Sequence, residues 1–374
     1  MSGGVDSSVA ARLLLDQGYN IQPVFMRNWD TLDEQSDSGG CEWEKDFELV
    51  NSVCKQALGG IKPRLIDLSR QYWTDVFETA LESWRQGLTP NPDVTCNQHI
   101  KFHQLPAKLV EIDSQAWLAT GHYARLQPCP VDASSPGLFR ARHFPKDQSY
   151  YLSRAPASAL QRSMFPLGDM TKDQVRDLAR RWNMTTAERK ESMGICFIGE
   201  RNNFSTWLDS YLAPNPGDIV DEQGRILGRH QGLWRYTIGE GARLAGLPQR
   251  LFVAHKDVSS NTIMVVPKDS PNLRCIRLST DDLLWSYIGH PPPEVDTEQG
   301  YRCLAQTRSL QYGALSPCSV RRIGDGSFII RLDDALTGVA PGQAVVLYDE
   351  EWCVGGGTIR STRTLADKHG PGVA

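Results

Sequence analysis

Residues 1–8, Met1-Ser2-Gly3-Gly4-Val5-Asp6-Ser7-Ser8, decide how the rest of the chain is interpreted. Two glycines give the backbone freedom where a side chain would collide with a bound phosphate, and hydroxyls and a carboxylate follow at the start of a helical pattern. Backbone N–H groups in such a turn form an anion-binding nest, to which the first helical turn adds partial positive charge. The stretch therefore predicts a pyrophosphate cradle, although glycines followed by Asp and Ser are also ordinary loop and N-cap chemistry.

A helical pattern from Ser7 to Gln17 follows the cradle, and Gly18 is its stop signal. Short apolar runs then alternate with amphipathic helices, with strands expected at 21–26, 63–68 and 116–120 and helices at 47–57 and 72–86. This alternation predicts a doubly wound α/β domain with a parallel sheet. The aromatic face of the helix at 72–86 is assigned to the core and to no ligand; it comprises Trp73, Val76, Phe77, Ala80, Leu81 and Trp84.

Composition limits the class of protein. A chain of 374 residues predicts two or three domains, and 40% hydrophobic with 22% charged residues is typical of a soluble protein without a membrane span. Forty Lys and Arg against 44 Asp and Glu give a net charge of −4, so a nucleic acid would have to meet local basic patches. Nine cysteines, none in a C-x-x-C pair, indicate free thiols in a reducing compartment and no zinc site or disulfide framework.

Residues 89–103, TPNPDVTCNQHIKFH, contain the first candidate reactive thiol. Asp93 and Cys96 lie three residues apart, which places both on one side of a helical turn that begins near Asp93. A carboxylate within reach of a thiol can carry its proton, and a helix N-terminus lowers a thiol pKa. Judged by its residue type alone, Cys96 is more often a small buried hydrophobic residue than a reactive thiol.

A second candidate thiol, Cys196, lies in residues 188–199, ERKESMGICFIG. Glycines on both sides of this thiol predict an exposed, movable loop, and Arg189 and Lys190 would favour the thiolate. Upstream, a helix is expected from Thr171, with a capping box formed by Thr171 and Gln174. Its basic face is either solvated or in contact with nucleic acid; the residues are Lys172, Arg176, Arg180 and Arg181.

The composition changes after Asn203, where short strands and glycine turns predict a small β-rich domain with one helix at 236–245. The final part is strand after strand with turns about every ten residues, which predicts a small antiparallel barrel. The expected divisions are 1–203 for the α/β domain, 204–277 for the central domain, 278–363 for the barrel and 364–374 for a disordered tail.

Nine strings resemble, in order and spacing, the tRNA-specific 2-thiouridylases; they are SGGVDSS, VFMRNWD, TPNPDVTCNQHIKF, ATGHYA, KDQSYYL, FPLG, ESMGICFIG, GLWRYTIGE and PGQAVVLY. SGGVDSS is similar to the PP-loop of the ATP-pyrophosphatase superfamily. The resemblance covers nearly the whole chain and implies a PP-loop α/β domain, a small central domain and a C-terminal β-barrel. In the superfamily a hydrophobic strand leads into the loop. The sequence given opens at Met1, so we expect either a truncated N-terminus or a sheet that lacks this strand.

The resemblance implies an ATP-dependent sulfurtransferase that adenylates C2 of the wobble uridine of tRNA and converts it to 2-thiouridine. ATP and Mg²⁺ are the implied cofactors, with pyrophosphate leaving into the cradle. Cys196 would carry a persulfide received from a sulfur-donor protein, such as a cysteine desulfurase or a relay protein. Cys96 would either resolve that persulfide through a Cys96–Cys196 disulfide or attack the activated base, and Asp93 would serve as acid or base.

The resemblance also implies binding residues, and it assigns no metal ligand. Nucleotide contacts fall on Ser2, Gly3, Gly4, Val5, Asp6, Ser7, Ser8, Met26 and Gly121. Contacts to tRNA fall on Asn91, Pro92, Asp93, His122, Lys146, Asp147, Gln148, Arg308, Ser309 and Gln343, and the first three of these would frame a flipped-out base. The string QTRSLQ around Arg308 departs from the aromatic-containing version common in bacterial members.

Two strings, MRNWDTLDE and GICFIGERNNF, look more like eukaryotic mitochondrial members of this family, which predicts a mitochondrial location, or the cytoplasm if the chain is bacterial. A monomer that does not associate with membranes is expected. Two alternatives stay open at this stage. A small-molecule adenylating ligase or amidotransferase would use SGGVDSS but has no use for Cys96, Cys196 and a barrel. A noncatalytic tRNA-binding relative would carry a damaged PP-loop.

Overall fold

The structure is a computed structural model that describes residues 1–29, 42–190, 204–286, 290–309, 315–324 and 326–369. The first part of the chain is an α/β domain. In chain order its elements are α1 (Val5–Asp16), β1 (Val24–Arg27), α2 (Glu42–Ala57), β2 (Arg64–Asp67), α3 (Ser69–Tyr72), α4 (Glu78–Arg85), α5 (Pro92–Cys96), α6 (Leu105–Ile112), β3 (Leu118–Ala119), β4 (Ala124–Cys129), β5 (Asp132–Arg140), α7 (Ser149–Leu152), α8 (Ala157–Leu160), β6 (Ser163–Met164), α9 (Lys172–Arg181) and α10 (Phe204–Leu208).

Parallel strand pairs confirm the predicted α/β class, since β1 pairs with β2 and β3 pairs with β6, both in parallel. Among the described strands these are two separate pairs. Two helices are longer than their α-helical parts, because π-helical turns at Trp73–Phe77 and Asn97–Gln104 join α3 to α4 and α5 to α6. The aromatic face predicted for the first of these joined helices is packed in the main core, as expected.

The strands β4 and β5 form a hairpin, and neither is among the strands expected from the sequence. Its prolines, Pro128 and Pro136, face each other across the pair, and β4 lies at the edge of a sheet, where proline costs no central ladder bond. At the other side of the hairpin, Phe139 of β5 pairs with Trp352. The hairpin therefore leaves the α/β domain and extends the C-terminal sheet.

The central domain contains β7 (Gly217–Val220), β8 (Ile226–His230), β9 (Phe252–Asp257) and β10 (Thr262–Val266) in the order β8-β7-β10-β9. The prediction of a helix at 236–245 is wrong. Only a 3₁₀ turn forms, at Leu233–Arg235. Gly239 has a φ of +89° and lies against Gly338, where a Cβ would approach the Gly338 Cα to 2.6 Å. Gly241 forms a bridge with Phe252, so both glycines serve close backbone approaches.

The C-terminal part is an antiparallel sheet, as predicted, and β4 and β5 complete it. Its own strands are β11 (Arg274–Thr280), β12 (Leu284–Trp285), β13 (Tyr301–Gln306), β14 (Ser316–Arg322), β15 (Phe328–Thr337), β16 (Ala344–Asp349), β17 (Trp352–Thr358) and β18 (Ser361–Thr364). A 3₁₀ turn at Ala366–His369 follows, in a segment where the sequence predicts a disordered tail. The Asp367 carboxylate accepts hydrogen bonds from the N–H and the hydroxyl of Thr364, which gives this turn local structure.

The largest core cluster crosses the boundary between the α/β domain and the C-terminal sheet. Cys96, Ile100 and Tyr150 belong to the same buried cluster as Val346 and Tyr348 of β16. Burial of shared apolar surface on this scale makes the two parts one packed unit. The helix that carries Cys96 is consequently positioned in part by the barrel.

Candidate active site

The opening turn has the geometry of an anion cradle. Gly3 adopts a φ of +73°, a left-handed conformation that favours glycine, and Gly4 is the N-cap of α1 without a side-chain cap. The Ser2 N–H donates to Ser7 Oγ at 3.1 Å, while the Ser7 and Ser8 hydroxyls donate to the Gly4 carbonyl at 3.2 and 2.8 Å. The N–H groups of the first helical turn are therefore not capped by a side chain of the N-cap residue, which is the arrangement that an anion can use.

Asp6 is held by two side chains from distant parts of the chain. Lys172 Nζ donates to both Asp6 carboxylate oxygens at 2.8 Å, and the Tyr123 hydroxyl donates to Asp6 Oδ1 at 2.9 Å. Lys172 is only 8% exposed, so its assignment to a solvated or RNA-binding helix face is wrong. The reason is its position as the first residue of α9, where the capping box formed by Thr171 and Gln174, confirmed here, directs α9 against α1.

Arg189 fixes the other side of the same turn. Its guanidinium donates to the Gly3 carbonyl at 2.8 Å and pairs with Asp46 of α2 at 2.5 Å. The sequence assigned this arginine to the thiolate of Cys196, which lies outside the described residues. In the structure the Arg189 guanidinium instead binds the Gly3 carbonyl of the cradle and the Asp46 carboxylate.

Gly121 and Met26, the predicted adenine and ribose contacts, lie near the carboxyl ends of β3 and β1. A Cβ on Gly121 would lie 2.7 Å from the Ser7 nitrogen and 2.8 Å from the Asp6 carbonyl carbon. Only glycine permits this approach to α1. Met26 is partly buried against the main core cluster. The structure thus brings Gly121 to the cradle and leaves Met26 on the neighbouring strand.

Hydrogen bonds, together with the short stretch of chain from Gln148 to Tyr150, connect the cradle to the proline-containing loop. Tyr123, which holds Asp6, exchanges two bonds with Gln148: its N–H donates to Gln148 Oε1 at 2.9 Å, and its carbonyl accepts from the Gln148 N–H at 2.8 Å. Two residues further on, Tyr150 is hydrogen-bonded to the side chain of Asn91 and donates to the Ala344 carbonyl at 2.9 Å. In this way the cradle, the turn that contains Gln148 and the loop that contains Asn91 are connected, although the sequence predicted them as separate sites.

Asp147 faces inward in the same turn. Its side chain is 5% exposed. The carboxylate accepts from the Arg140 guanidinium and the Ala141 N–H at 3.0 Å each and from the Ser149 hydroxyl at 2.9 Å. These internal bonds make Asp147 a positioning residue for the partly buried Lys146 and Gln148 on either side of it. Its predicted contact with tRNA through the carboxylate is not supported by this burial.

Cys96 lies in a helix whose N-cap is Asn91 and whose first residue is Pro92. Its side chain is 0% exposed in the main core cluster, whereas Asp93, one turn earlier, is partly exposed. Burial agrees with the alternative interpretation of Cys96 as a small apolar residue. A role as nucleophile requires that the surrounding structure open.

His122 lies between Gly121 and Tyr123, and its Nδ1 is 2.8 Å from the Thr120 hydroxyl. Burial, with a smaller contribution from Lys101, lowers the pKa of His122 to about 3. The ring packs near Phe102 and Phe165. A neutral imidazole in this position can exchange hydrogen bonds with a base but supplies no positive charge to a phosphate.

The barrel and the central domain both reach Thr89, which lies just before the loop at 90–93. Gln343 Nε2 donates to the Thr89 carbonyl at 3.0 Å, and the Thr89 N–H donates to the Pro341 carbonyl at 2.9 Å. From the central domain, Lys256 Nζ donates to the Thr89 hydroxyl at 3.5 Å. Burial lowers the pKa of Lys256 to about 8, and Glu240 opposes this shift. Gln343 therefore contacts this loop directly.

Arg308 and Ser309, the other predicted barrel contacts, follow β13. Arg308 is exposed, and Gln306 Nε2 donates to the carbonyls of Arg308 and Ser309 at 3.1 and 3.5 Å. The Arg308 guanidinium lies beside Gly338, next to the central domain. Arg308 and Ser309 therefore lie where the barrel meets the central domain, as Gln343 does, but at the end of a different strand.

Sequence reasoning missed Lys172, Tyr123 and Lys256 as residues of the site. The capping box at the start of α9 was the available signal for Lys172, but its contact with Asp6 spans 166 residues. Within the described part of the chain, His, Cys, Asp and Glu side chains form no group of three that could hold a metal ion. None of the described helices is both long and apolar enough to cross a bilayer.

Comparisons with known proteins agree with the three-part architecture. Residues 1–200 match the profile of the family described as tRNA methyl transferase HUP domain, 205–267 match its PRC-barrel domain, and 279–359 match the aminomethyltransferase beta-barrel domain. A protein of Chromohalobacter salexigens named tRNA-specific 2-thiouridylase MnmA is 40% identical over 100% of this chain and 94% of its own length. A protein of the same name from Bacillus subtilis is 39% identical over 96% and 93%. The mitochondrial tRNA-specific 2-thiouridylase 1 of Drosophila melanogaster is 37% identical over 99% and 95%.

Proposed function

Because this chain belongs to the family of the tRNA-specific 2-thiouridylases, we propose that it replaces the C2 oxygen of the wobble uridine of tRNA with sulfur. The profile and the relatives carry different names, since one refers to a methyl transferase and the others to thiolation. Methyl transfer needs neither an anion cradle at the chain's opening turn nor a thiol beside a proline-stiffened loop. The residues of this site therefore favour sulfur transfer.

The observation that carries the proposal is the connected path from Asp6 through Tyr123 and Gln148 to the loop that begins at Asn91. Activation of a nucleobase and attack on it by sulfur must occur at one carbon atom, so the nucleotide and base sites must be adjacent. In this chain the path crosses only three side chains. A structural change in the cradle can thereby alter the position of the loop at 90–93, which would hold the base.

The cradle residues fit a nucleotide polyphosphate. The uncapped N-terminus of α1, the left-handed Gly3 and the close approach of Gly121 leave backbone N–H groups for phosphate oxygens. ATP would supply the activation of the uridine C2 oxygen, which is otherwise a poor leaving group. Lys172 would add positive charge, and Asp6 is the carboxylate that could assist Mg²⁺ held mainly by the phosphates.

The two thiols take the roles that the family resemblance implies. Cys196 would carry the persulfide, and its outer sulfur would bond to C2 while the C2–O bond breaks and AMP leaves with that oxygen. In one version Cys96 then attacks the inner sulfur, so that the S–S bond of the persulfide breaks and a Cys96–Cys196 disulfide forms for later reduction by a thiol reductant. In the other, Cys96 bonds to C2 first and expels AMP. The outer sulfur then displaces Cys96 from C2, and the freed Cys96 thiolate breaks the S–S bond and forms the same disulfide. Asp93, one helical turn from Cys96, would move the proton.

The implied partners follow from this chemistry. A persulfide has to be delivered, so a sulfur-donor protein such as a cysteine desulfurase or a relay protein would dock near Cys196. The tRNA would contact the barrel residues Arg308, Ser309 and Gln343 and the turn at Lys146–Gln148. The enzyme would act as a monomer in the compartment of its tRNA, the mitochondrion if the chain is eukaryotic and the cytoplasm if it is bacterial.

Incorporation of labelled sulfur from cysteine into tRNA, with a cysteine desulfurase and ATP present, tests the proposal. We expect Cys96→Ser and Cys196→Ser to abolish incorporation while tRNA binding persists. Cys129→Ser changes another buried thiol, in the remote hairpin, and should leave incorporation unchanged. Full activity in either of the first two variants would remove the two-thiol mechanism.

Pyrophosphate release separates the remaining alternatives. We expect tRNA-dependent release in the wild type and none in Asp6→Ala. Release that depends on a small molecule and not on tRNA would identify an adenylating ligase. Binding of tRNA without release would identify a noncatalytic relative.

A further inference from the structure

A basic cleft lies on the outer face of the barrel, between the strands β11, β15 and β18. We call it the arginine cleft; its volume is about 340 Å³, and its polar lining includes Arg277, Arg360, Arg363, Ser279, Ser327 and Ser361. Among the described residues, no Asp or Glu side chain contributes to the lining. None of these residues belongs to the nucleotide site, the thiol loop or the contacts implied by the family resemblance.

Strand register places the arginines in a row. Arg363 of β18 is directly opposite Arg277 of β11, and Arg277 is directly opposite Arg331 of β15. Directly paired residues point to the same face of a sheet, so the three arginine side chains leave the sheet on its outer face. A second row, two residues along, contains Ser361 and Ser279, whose hydroxyls are 2.7 Å apart.

The protein neutralises this positive charge only in part, since Arg360 pairs with Asp281 and Arg331 interacts electrostatically with Asp333. Within the described residues, Arg277, Arg331 and Arg363 form no ion pair, while Arg302 nearby is paired with Asp333 and Arg360 with Asp281. Burial and the adjacent Arg363 lower the pKa of Arg277, which is the effect expected of like charges held together. Like charges opposite each other destabilise a sheet unless an anion lies between them.

The arginine cleft lies between the two barrel sites already implicated in tRNA contact. At one end of β11, Arg274 shares a small depression with Arg308. At the other end, Arg360 donates its N–H to the Ser279 carbonyl. Arg360 follows Ile359, which exchanges backbone bonds with Gln343 and Gly342. The seven residues of β11 span roughly 20 Å between these sites.

We propose that the arginine cleft binds phosphates of the tRNA backbone and so extends the RNA surface from Arg308 to Gln343 along β11. The inference rests on the proposed function for the identity of the RNA. Guanidinium groups bind phosphate oxygens through two parallel N–H bonds, and serine hydroxyls add neutral donors beside them. A site of this kind contributes affinity and orientation but no sequence preference.

The test measures the dissociation constant of the whole protein for a full-length tRNA transcript at several salt concentrations. Each phosphate contact contributes a slope of about 0.7–0.9 in the logarithm of the dissociation constant, which corresponds to about 5- to 8-fold in affinity at 0.1 M salt. We expect the double variant Arg277→Ala/Arg363→Ala to bind tRNA about 25- to 60-fold more weakly, with a slope lower by about 1.4–1.8.

Two matched variants serve as controls. Arg85→Ala/Arg225→Ala removes two exposed arginines that are paired within the protein, and it should leave affinity and slope unchanged. Arg277→Lys/Arg363→Lys keeps the charge and should retain most of the slope. Equal losses in the alanine and lysine pairs would mean that packing is responsible, and the proposal would be wrong.

Failure of the inference and failure of the proposed function give different results. If the wild type binds and thiolates tRNA and the alanine pair binds it equally well, the arginine cleft is not an RNA contact. If the alanine pair loses affinity for inorganic phosphate but binds tRNA as tightly as the wild type, the cleft binds a free anion and the proposal also fails. If the wild type binds tRNA without thiolating it, the proposed function fails, and the comparison of affinities still decides the role of the cleft.

Discussion

A single methyl group at Gly121 should damage the nucleotide cradle. The added Cβ would lie 2.7 Å from the Ser7 nitrogen and 2.8 Å from the Asp6 carbonyl carbon. Contacts below 3.0 Å are essentially never observed for a Cβ, and both neighbours are backbone atoms of α1. A side-chain rotation therefore cannot relieve the clash, so either the helix or the strand end must move.

The size of the movement follows from the distances. An ordinary contact begins at 3.4 Å, so relief of a 2.7 Å contact requires a displacement of 0.7 Å at the first turn of α1. A misplacement of about 1 Å in a reacting group can reduce the rate about 100-fold, so we expect Gly121→Ala to lower kcat/KM for ATP by about 30-fold. Overpacking at this position should also reduce the free energy of unfolding by about 1–3 kcal/mol.

The assay is tRNA-dependent pyrophosphate release at varied ATP concentration, with thermal unfolding measured in parallel. Gly324→Ala is the neutral control, because a Cβ there meets no atom within 4 Å. Gly217→Ala is the destabilised control, because its Cβ would lie 1.9 Å from the Asn261 carbonyl oxygen in the central domain. It should unfold earlier yet keep the KM for ATP. Wild-type kinetics in Gly121→Ala would refute the assignment of this strand end to the cradle.

Three further predictions follow from single contacts. Lys172→Met removes the cation bound to Asp6, so pyrophosphate release should fall by about ten-fold or more, whereas Lys172→Arg should retain part of it. Tyr150→Phe leaves the buried Ala344 carbonyl without its donor, and urea denaturation should show a loss of about 1–3 kcal/mol. Burial lowers the pKa of Lys256 to about 8 from 10.5, so the unfolded chain binds more protons between those values, and the free energy of unfolding should rise with pH there. The difference in stability between the wild type and Lys256→Met, measured by urea denaturation across this window, should rise with pH, and a flat difference would contradict the prediction.

Local patterns in the sequence were sufficient for much of the fold. The strands at Thr262–Val266 and Ala344–Asp349 lie in the two regions where short strands separated by turn residues are expected. The helix after the cradle ends before Gly18, whose φ of +85° terminates it. These features depend on neighbouring residues only, and the printed sequence contains all of that information.

Other features depend on contacts that a local pattern does not contain. The hairpin at 124–140 is not expected from the sequence, since its prolines disfavour strands, and the place of β4 at a sheet edge makes Pro128 acceptable there. The helix expected at 236–245 fails because Gly239 and Gly241 are needed for close approach to distant backbone. In the sequence Lys172 is one of four similar basic residues, and only the packing of α9 against α1 distinguishes it from the other three.

The position of Thr89 explains why a nucleotide-dependent enzyme would retain two further domains. The loop at 90–93 has two prolines and no strand of its own, so its ends need external support. Gln343 and Pro341 from the barrel fix the backbone of Thr89, and Lys256 from the central domain approaches its hydroxyl. Asn91, two residues after Thr89, is the N-cap of the helix that carries Cys96. Any shift of the barrel or of the central domain is therefore transmitted to the loop at 90–93. Binding of RNA along the barrel can therefore alter the site where the thiol must become accessible, without direct contact between the RNA and the cradle.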